Sequence, residues 1–157
     1  MVLITDGGST KCDWMLLDNT GAVLLKTQTK GLNPTVLSAR EIENRICDNE
    51  QLLKVFNTVV QLDFYGAGCG TQTPRLQLAK VLERLFANAT VTVQEDLAAA
   101  VYAVTTAPSI VCILGTGSNS CYFDGSTIHA PIPALGYSLM DEASGNYFGK
   151  QLLRDYF

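Results

Sequence analysis

Asp6-Gly7-Gly8-Ser9-Thr10 gathers more chemically useful groups than any other stretch of this sequence. Two adjacent glycines carry no Cβ, so their backbone N–H groups can approach a phosphate closely, and the Ser9 and Thr10 hydroxyls add donors. Asp6, at the end of an apolar run, could hold a magnesium ion through water. The segment is not a Walker loop, because GxxxxGK[ST] is absent and a strand rather than a helix follows. Taken alone, the same residues could simply turn a hairpin. Gly115-Thr116-Gly117 has the same character, with Ser118 and Asn119 supplying polar groups. It lacks the third glycine and the following helix of a dinucleotide fingerprint. Two such tips could face each other across a cleft and hold one polyphosphate from both sides.

Other candidates are single residues. Asp96 lies where a strand hands over to a helix, at the carboxyl edge where open α/β sheets bind ligands. It could accept a proton from an attacking hydroxyl, or cap the helix, or do both. Asn33 precedes a proline that forces it out of helical geometry, leaving its amide to meet a sugar hydroxyl or to sit in an ordinary loop. Gly66 and Gly68 either let a ligand lie against the backbone or only turn the chain. Asp141-Glu142 could touch a sugar hydroxyl or a metal, or merely offset a helix dipole. His129 is given no role, and Trp14, Met15 and Tyr102 are expected in the core.

The elements that must position these groups follow from pattern. Residues 2–5 are apolar, and beyond the glycines Cys12, Trp14 and Leu16 alternate with Lys11, Asp13 and Met15, predicting two strands. A turn at Asn19-Thr20-Gly21 leads to a third extended run over 22–28, completing an antiparallel meander. Ile42, Ile46 and Leu53 at helical spacing predict one amphipathic helix. A strand over 58–65 then ends in the glycine-rich 66–70. Thr73-Pro74 reads as cap and first turn of a helix whose inner face is Leu78, Leu82, Leu85 and Phe86. A strand over 90–94 and a helix from Asp96 to about Thr105 follow, giving an α/β layer with a mixed sheet. Strands over 109–114, 120–123 and 127–130, joined by a glycine tip and by Asp124-Gly125, repeat the opening meander. Pro131 and Pro133 then precede a loop and a helical pattern in Phe148, Leu152 and Leu153. The expected organisation is a first domain over 1–106 and the beginning of a second, truncated domain of the same type over 107–157.

The 157 residues are 47% apolar and 17% charged, a globular composition with a net charge of -4. No basic run is present, which disfavours nucleic-acid and anionic-membrane partners. Five scattered cysteines without a CxxC pair suit reduced thiols, and no signal peptide or membrane span is evident. A cytoplasmic location is expected.

Together the motifs resemble the sugar-kinase branch of the actin, hexokinase and heat-shock-chaperone ATPase superfamily, and within it the N-acetylglucosamine kinase family, related to the activator ATPases of benzoyl-CoA reductase. The matching residues are Asp6-Gly7-Gly8-Ser9-Thr10-Lys11, Leu32-Asn33-Pro34, Glu95-Asp96, Gly115-Thr116-Gly117-Ser118-Asn119 and residues 136–145 around Asp141-Glu142, in the family's order. The resemblance implies ribonuclease-H-like domains, ATP and Mg2+ as cofactors, and phosphoryl transfer to the 6-hydroxyl of an amino sugar, N-acetylglucosamine foremost. It implies phosphate contacts from Gly7, Gly8, Ser9, Thr10, Lys11, Gly115, Thr116, Gly117 and Ser118, and magnesium at Asp6 through water. Asn33, Gly68, Asn119, Gly136 and Asp141 would meet the sugar, with Asp96 as the base. Met140 and Ala143 stand where the family usually has glycine, and the family's adenosine-binding segments are expected beyond residue 157. An activator-type switch ATPase and a non-catalytic sugar-binding domain are the rival functions, and exposed apolar surface could promote pairing into a homodimer.

Overall fold

The computed structural model describes residues 1–132 and 134–157, so Pro133 lies outside the described residues. The chain forms two compact units, Met1–Asp96 and Leu97–Phe157.

In the first unit, β1 (Val2–Gly7), β2 (Lys11–Leu17) and β3 (Val23–Lys30) form the expected antiparallel meander. Its alternation buries Leu3, Cys12, Trp14 and Leu16 on one face. After α1 (Ala39–Cys47) and α2 (Glu50–Leu53), β4 (Gln61–Gly66) pairs parallel to β1. Beyond α3 (Gln72–Leu85), β5 (Thr90–Glu95) pairs parallel to β4, giving the mixed order β3-β2-β1-β4-β5. Gly7 pairs with Gly66 and Gly66 with Glu95, so all three parallel strands end on one rung. The core centres on Trp14, whose ring centroid lies 6.2 Å from that of Phe86 and 6.3 Å from that of Phe64.

Two local expectations are corrected. The single helix through Leu53 is two, because the Asn49 side chain accepts from the N–H groups of Gln51 and Leu52 and starts a new helix in a new phase. Leu52 is therefore buried and Leu53 exposed. The third helix is capped by Thr71, without a side-chain hydrogen bond, rather than by Thr73. Pro74 still falls in the first turn, where its missing N–H has no intrahelical partner to lose.

In the second unit, α4 (Asp96–Val104), which begins at the last residue of the first, lays Leu97 and Val101 against Val111, Cys121 and Phe123. Those residues come from β6 (Ser109–Leu114) and β7 (Ser118–Phe123), which with β8 (Ile128–His129) repeat the antiparallel meander. Tyr102 is exposed rather than core. The opposite face of this sheet leaves Ile110, Leu114 and Tyr122 exposed. α5 (Gly145–Tyr156) closes the chain and is capped by Ser144. Among the described residues, no helix is long and apolar enough to cross a membrane.

Candidate functional site

In the first unit the glycine hairpin between β1 and β2 is held from three sides. Gly31 N–H donates to the Thr10 carbonyl at 2.9 Å, Ala67 N–H to the Gly7 carbonyl at 2.8 Å, and Asn33 Nδ2 to Ser9 Oγ at 3.1 Å. Gly31 lies so close that a Cβ there would stand 2.0 Å from the Ser9 carbonyl oxygen, while the Arg45 guanidinium donates to the Gly31 carbonyl. Under the rung, the Phe64 ring occupies the space where Cβ atoms on Gly7 and Gly66 would be, at 2.6 and 2.4 Å. These glycines are required by contact, whether or not a phosphate binds.

Asn33 is half-buried and bound to its surroundings. Its Oδ1 accepts from Thr35 N–H at 2.9 Å and from the Thr35 hydroxyl at 2.7 Å. Gly68, at φ +80°, presents its bare Cα to that oxygen, and a Cβ would lie 2.1 Å away. Two residues expected on the sugar side, Asn33 and Gly68, are thus neighbours, and Asn33 is bonded to the glycine hairpin.

Lys11 and Asp6 are placed differently from a simple phosphate claw. The Lys11 ammonium pairs with Asp13 at 2.7 Å, which raises its pKa, and Asp13, also bound by Gln28, is held below the usual carboxylate range. Asp6 is the exposed register partner of Asp13. A single exposed carboxylate at a strand end suits a magnesium ion that keeps most of its waters and arrives on phosphate. Among the described residues no cluster of three or more His, Cys, Asp or Glu could cage a metal by itself.

Beyond Gly66, Arg75 donates to the carbonyls of Cys69 at 2.8 Å and Gly70 at 3.4 Å, fixing the loop. A Cβ on Gly70 would meet the Glu95 carboxylate at 3.0 Å. Burial pushes the Cys69 thiol up to about 12, with the Asp96 and Glu95 carboxylates adding to the rise and Arg75 opposing it. Asp96 itself, the residue expected to act as base, is half-buried where β5 meets α4.

In the second unit the tip between β6 and β7 is tied to the start of α5. Gly145 N–H donates to the Gly115 carbonyl at 2.9 Å and Asn146 N–H to the Thr116 carbonyl at 3.2 Å. Asp141 Oδ1 accepts from Ser118 N–H at 3.0 Å, and its carboxylate lies where a Cβ on Gly117 would be. Ser118, Asn119 and Asp141 line a cleft of about 440 Å³, together with Met140, Glu142 and apolar residues of the open sheet face. Asp141 and Ala143 adopt left-handed backbone, at φ +74° and +60°, as does Gly136 at +72°. Met140 does not share this conformation, so of the two substituted glycine positions only Ala143 carries the geometry that glycine favours.

His129, given no role from sequence, pairs through Nε2 with Asp124 at 2.7 Å and holds that carboxyl far below its ordinary range. Sequence reasoning also passed over Gly31, Thr35 and Arg75, which build the first unit's site. Gly31 and Thr35 carried a signal, flanking Leu32-Asn33-Pro34; Arg75 acts through contacts that no short pattern encodes.

No protein-family model matches the chain, and no curated protein matches it. Solved structures do. A Porphyromonas gingivalis protein provisionally named an N-acetylglucosamine kinase is 36% identical over 99% of this chain and 57% of its own, with a TM-score of 0.83. The chain belongs to the sugar-kinase family of the actin/hexokinase superfamily. A Chromobacterium violaceum protein with the same provisional name shares the fold at 17% identity and TM-score 0.67, covering 98% of this chain and 55% of that one. A Streptomyces griseus ROK family glucokinase, solved with glucose and AMPPNP, shares it at 19% identity and TM-score 0.59 over 82% of this chain and 46% of its own. This member of the sugar-kinase family spans about half the length of the structures it matches.

Proposed function

We propose that the chain carries part of an ATP-dependent kinase that phosphorylates the 6-hydroxyl of an amino sugar, N-acetylglucosamine foremost. The observation that carries this is the meeting, in the first unit, of the glycine hairpin, Asn33 and Gly68 beside the rung on which β1, β4 and β5 end. The 36% identity to a protein provisionally named for that activity supports the choice of sugar.

In this reading Gly7, Gly8, Ser9 and Thr10 receive ATP phosphates with their N–H and hydroxyl groups, and Gly115, Thr116, Gly117 and Ser118 do so in the second unit. Lys11 adds positive charge once phosphate competes with Asp13 for it. Asp6 would hold a magnesium ion through water, and the ion would supply charge neutralisation on the phosphates. Asn33 and Gly68 in the first unit meet the sugar, and so do Asn119, Gly136 and the Asp141 oxygen not used by Ser118 in the second. Asp96 accepts the proton of the 6-hydroxyl as that oxygen bonds to the terminal phosphorus and ADP leaves. Phosphoryl transfer needs mainly positioning and neutralised charge, so these parts suffice.

A coupled assay of the full-length protein with N-acetylated and plain hexoses tests this. ATP should be consumed with N-acetylglucosamine, and Asp96→Asn should lower kcat by about 10²–10⁴. No turnover with any N-acetylated hexosamine, or an unimpaired Asp96→Asn, would end the reading.

A further inference from the structure

We infer that Thr35 is a positioning residue that fixes the Asn33 amide as a pure hydrogen-bond donor, so that the sugar group read by Asn33 must be an acceptor. The inference rests on the reading of Asn33 as a sugar contact. A backbone N–H can only donate, so the Asn33 atom 2.9 Å from Thr35 N–H is its oxygen, and the amide cannot be turned over. The Thr35 hydroxyl, 2.7 Å from the same oxygen, takes the second lone pair. Gly68 closes the remaining approach, its Cα lying where any larger residue would collide with that oxygen. On the nitrogen side, one N–H goes to Ser9 Oγ at 3.1 Å, and the other has no partner among the described residues.

What Asn33 can offer a ligand is therefore one N–H. A sugar oxygen met there accepts, and its own proton must be taken by another group.

The test uses the full-length protein with N-acetylglucosamine and its 3- and 4-deoxy and deoxyfluoro analogues, with fluorine as an acceptor that cannot donate. At the contacted position, the deoxy sugar should raise KM about five- to ten-fold, the worth of one hydrogen bond, and fluorine should recover part of that loss. Thr35→Val, which keeps the shape and removes the hydroxyl, should raise the sugar KM about five-fold, with kcat and the KM for ATP within about two-fold. Thr35→Ser should restore it. Fluorine as poor as hydrogen at both positions, or a Thr35→Val variant indistinguishable from wild type, overturns the inference while leaving the kinase reading intact. If the wild type transfers no phosphate, the kinase reading fails instead, and the Asn33 side-chain amide signals in the NMR spectrum decide. Thr35→Val but not Thr35→Ser should move both of its proton signals and reduce their shift on adding N-acetylglucosamine. Unchanged signals overturn the inference.

Discussion

Ala143→Gly should stabilise the second unit. Ala143 is exposed and sits at φ +60°, where an L-residue's Cβ crowds the following carbonyl. That crowding costs about 1–2 kcal/mol. Glycine removes it but gives the unfolded chain more freedom, which takes back about 0.4–1 kcal/mol. Because the side chain is exposed, no packing is lost, and the net gain is about 0.5–1 kcal/mol. Native-state hydrogen exchange of the β6 and β7 amides reports on this unit separately, and should slow about two- to five-fold. Met140→Gly is the control. Met140 lies outside the left-handed region, so it gains nothing and should lose about 0.4–1 kcal/mol through the unfolded state. Faster exchange in Ala143→Gly, or equal gains in both variants, would refute the strain argument.

Other perturbations have equally definite outcomes. Gly31→Ala drives a Cβ into the Ser9 backbone and should cost about 1–3 kcal/mol in denaturant unfolding while raising the KM for ATP. Ser144→Ala removes the buried hydroxyl that accepts from Tyr147 N–H, and should lower helicity by fraying α5 at a cost of about 1 kcal/mol. The Cys69 thiol is pushed up to about 12 when folded, against 9.0 ordinarily. Its contribution to stability is complete below pH 9 and is lost as pH rises toward 12, with a slope of about 1.4 kcal/mol per pH unit. Urea midpoints measured at pH 8 and pH 10.5 should diverge less in Cys69→Ala than in wild type.

The meander was legible because period-two alternation and glycine tips are local signals, and they appear twice. The break at Asn49 was not, because Ile42, Ile46 and Leu53 fit one helix until the side-chain cap at Asn49 resets the phase. Tyr102 looked like core because α4 is apolar nearly throughout, and such a helix does not advertise which side it buries. The residues nominated for chemistry could be named from their types. Their supporting contacts could not, since the pairings of Gly31 with Ser9 and of Arg75 with Cys69 depend on how loops return in space.

The rung shared by Gly7, Gly66 and Glu95 makes strand pairing a ruler for the carboxylate proposed as base, Asp96. Slipping β5 by one residue would turn each of its side chains to the other surface of the sheet and shift Asp96 by a strand step of about 3.3 Å, too far to reach the same atom. Insertions and deletions should therefore be tolerated in the 54–60 and 86–89 connections, and should abolish activity when they fall inside β4 or β5, however conservative the inserted residue.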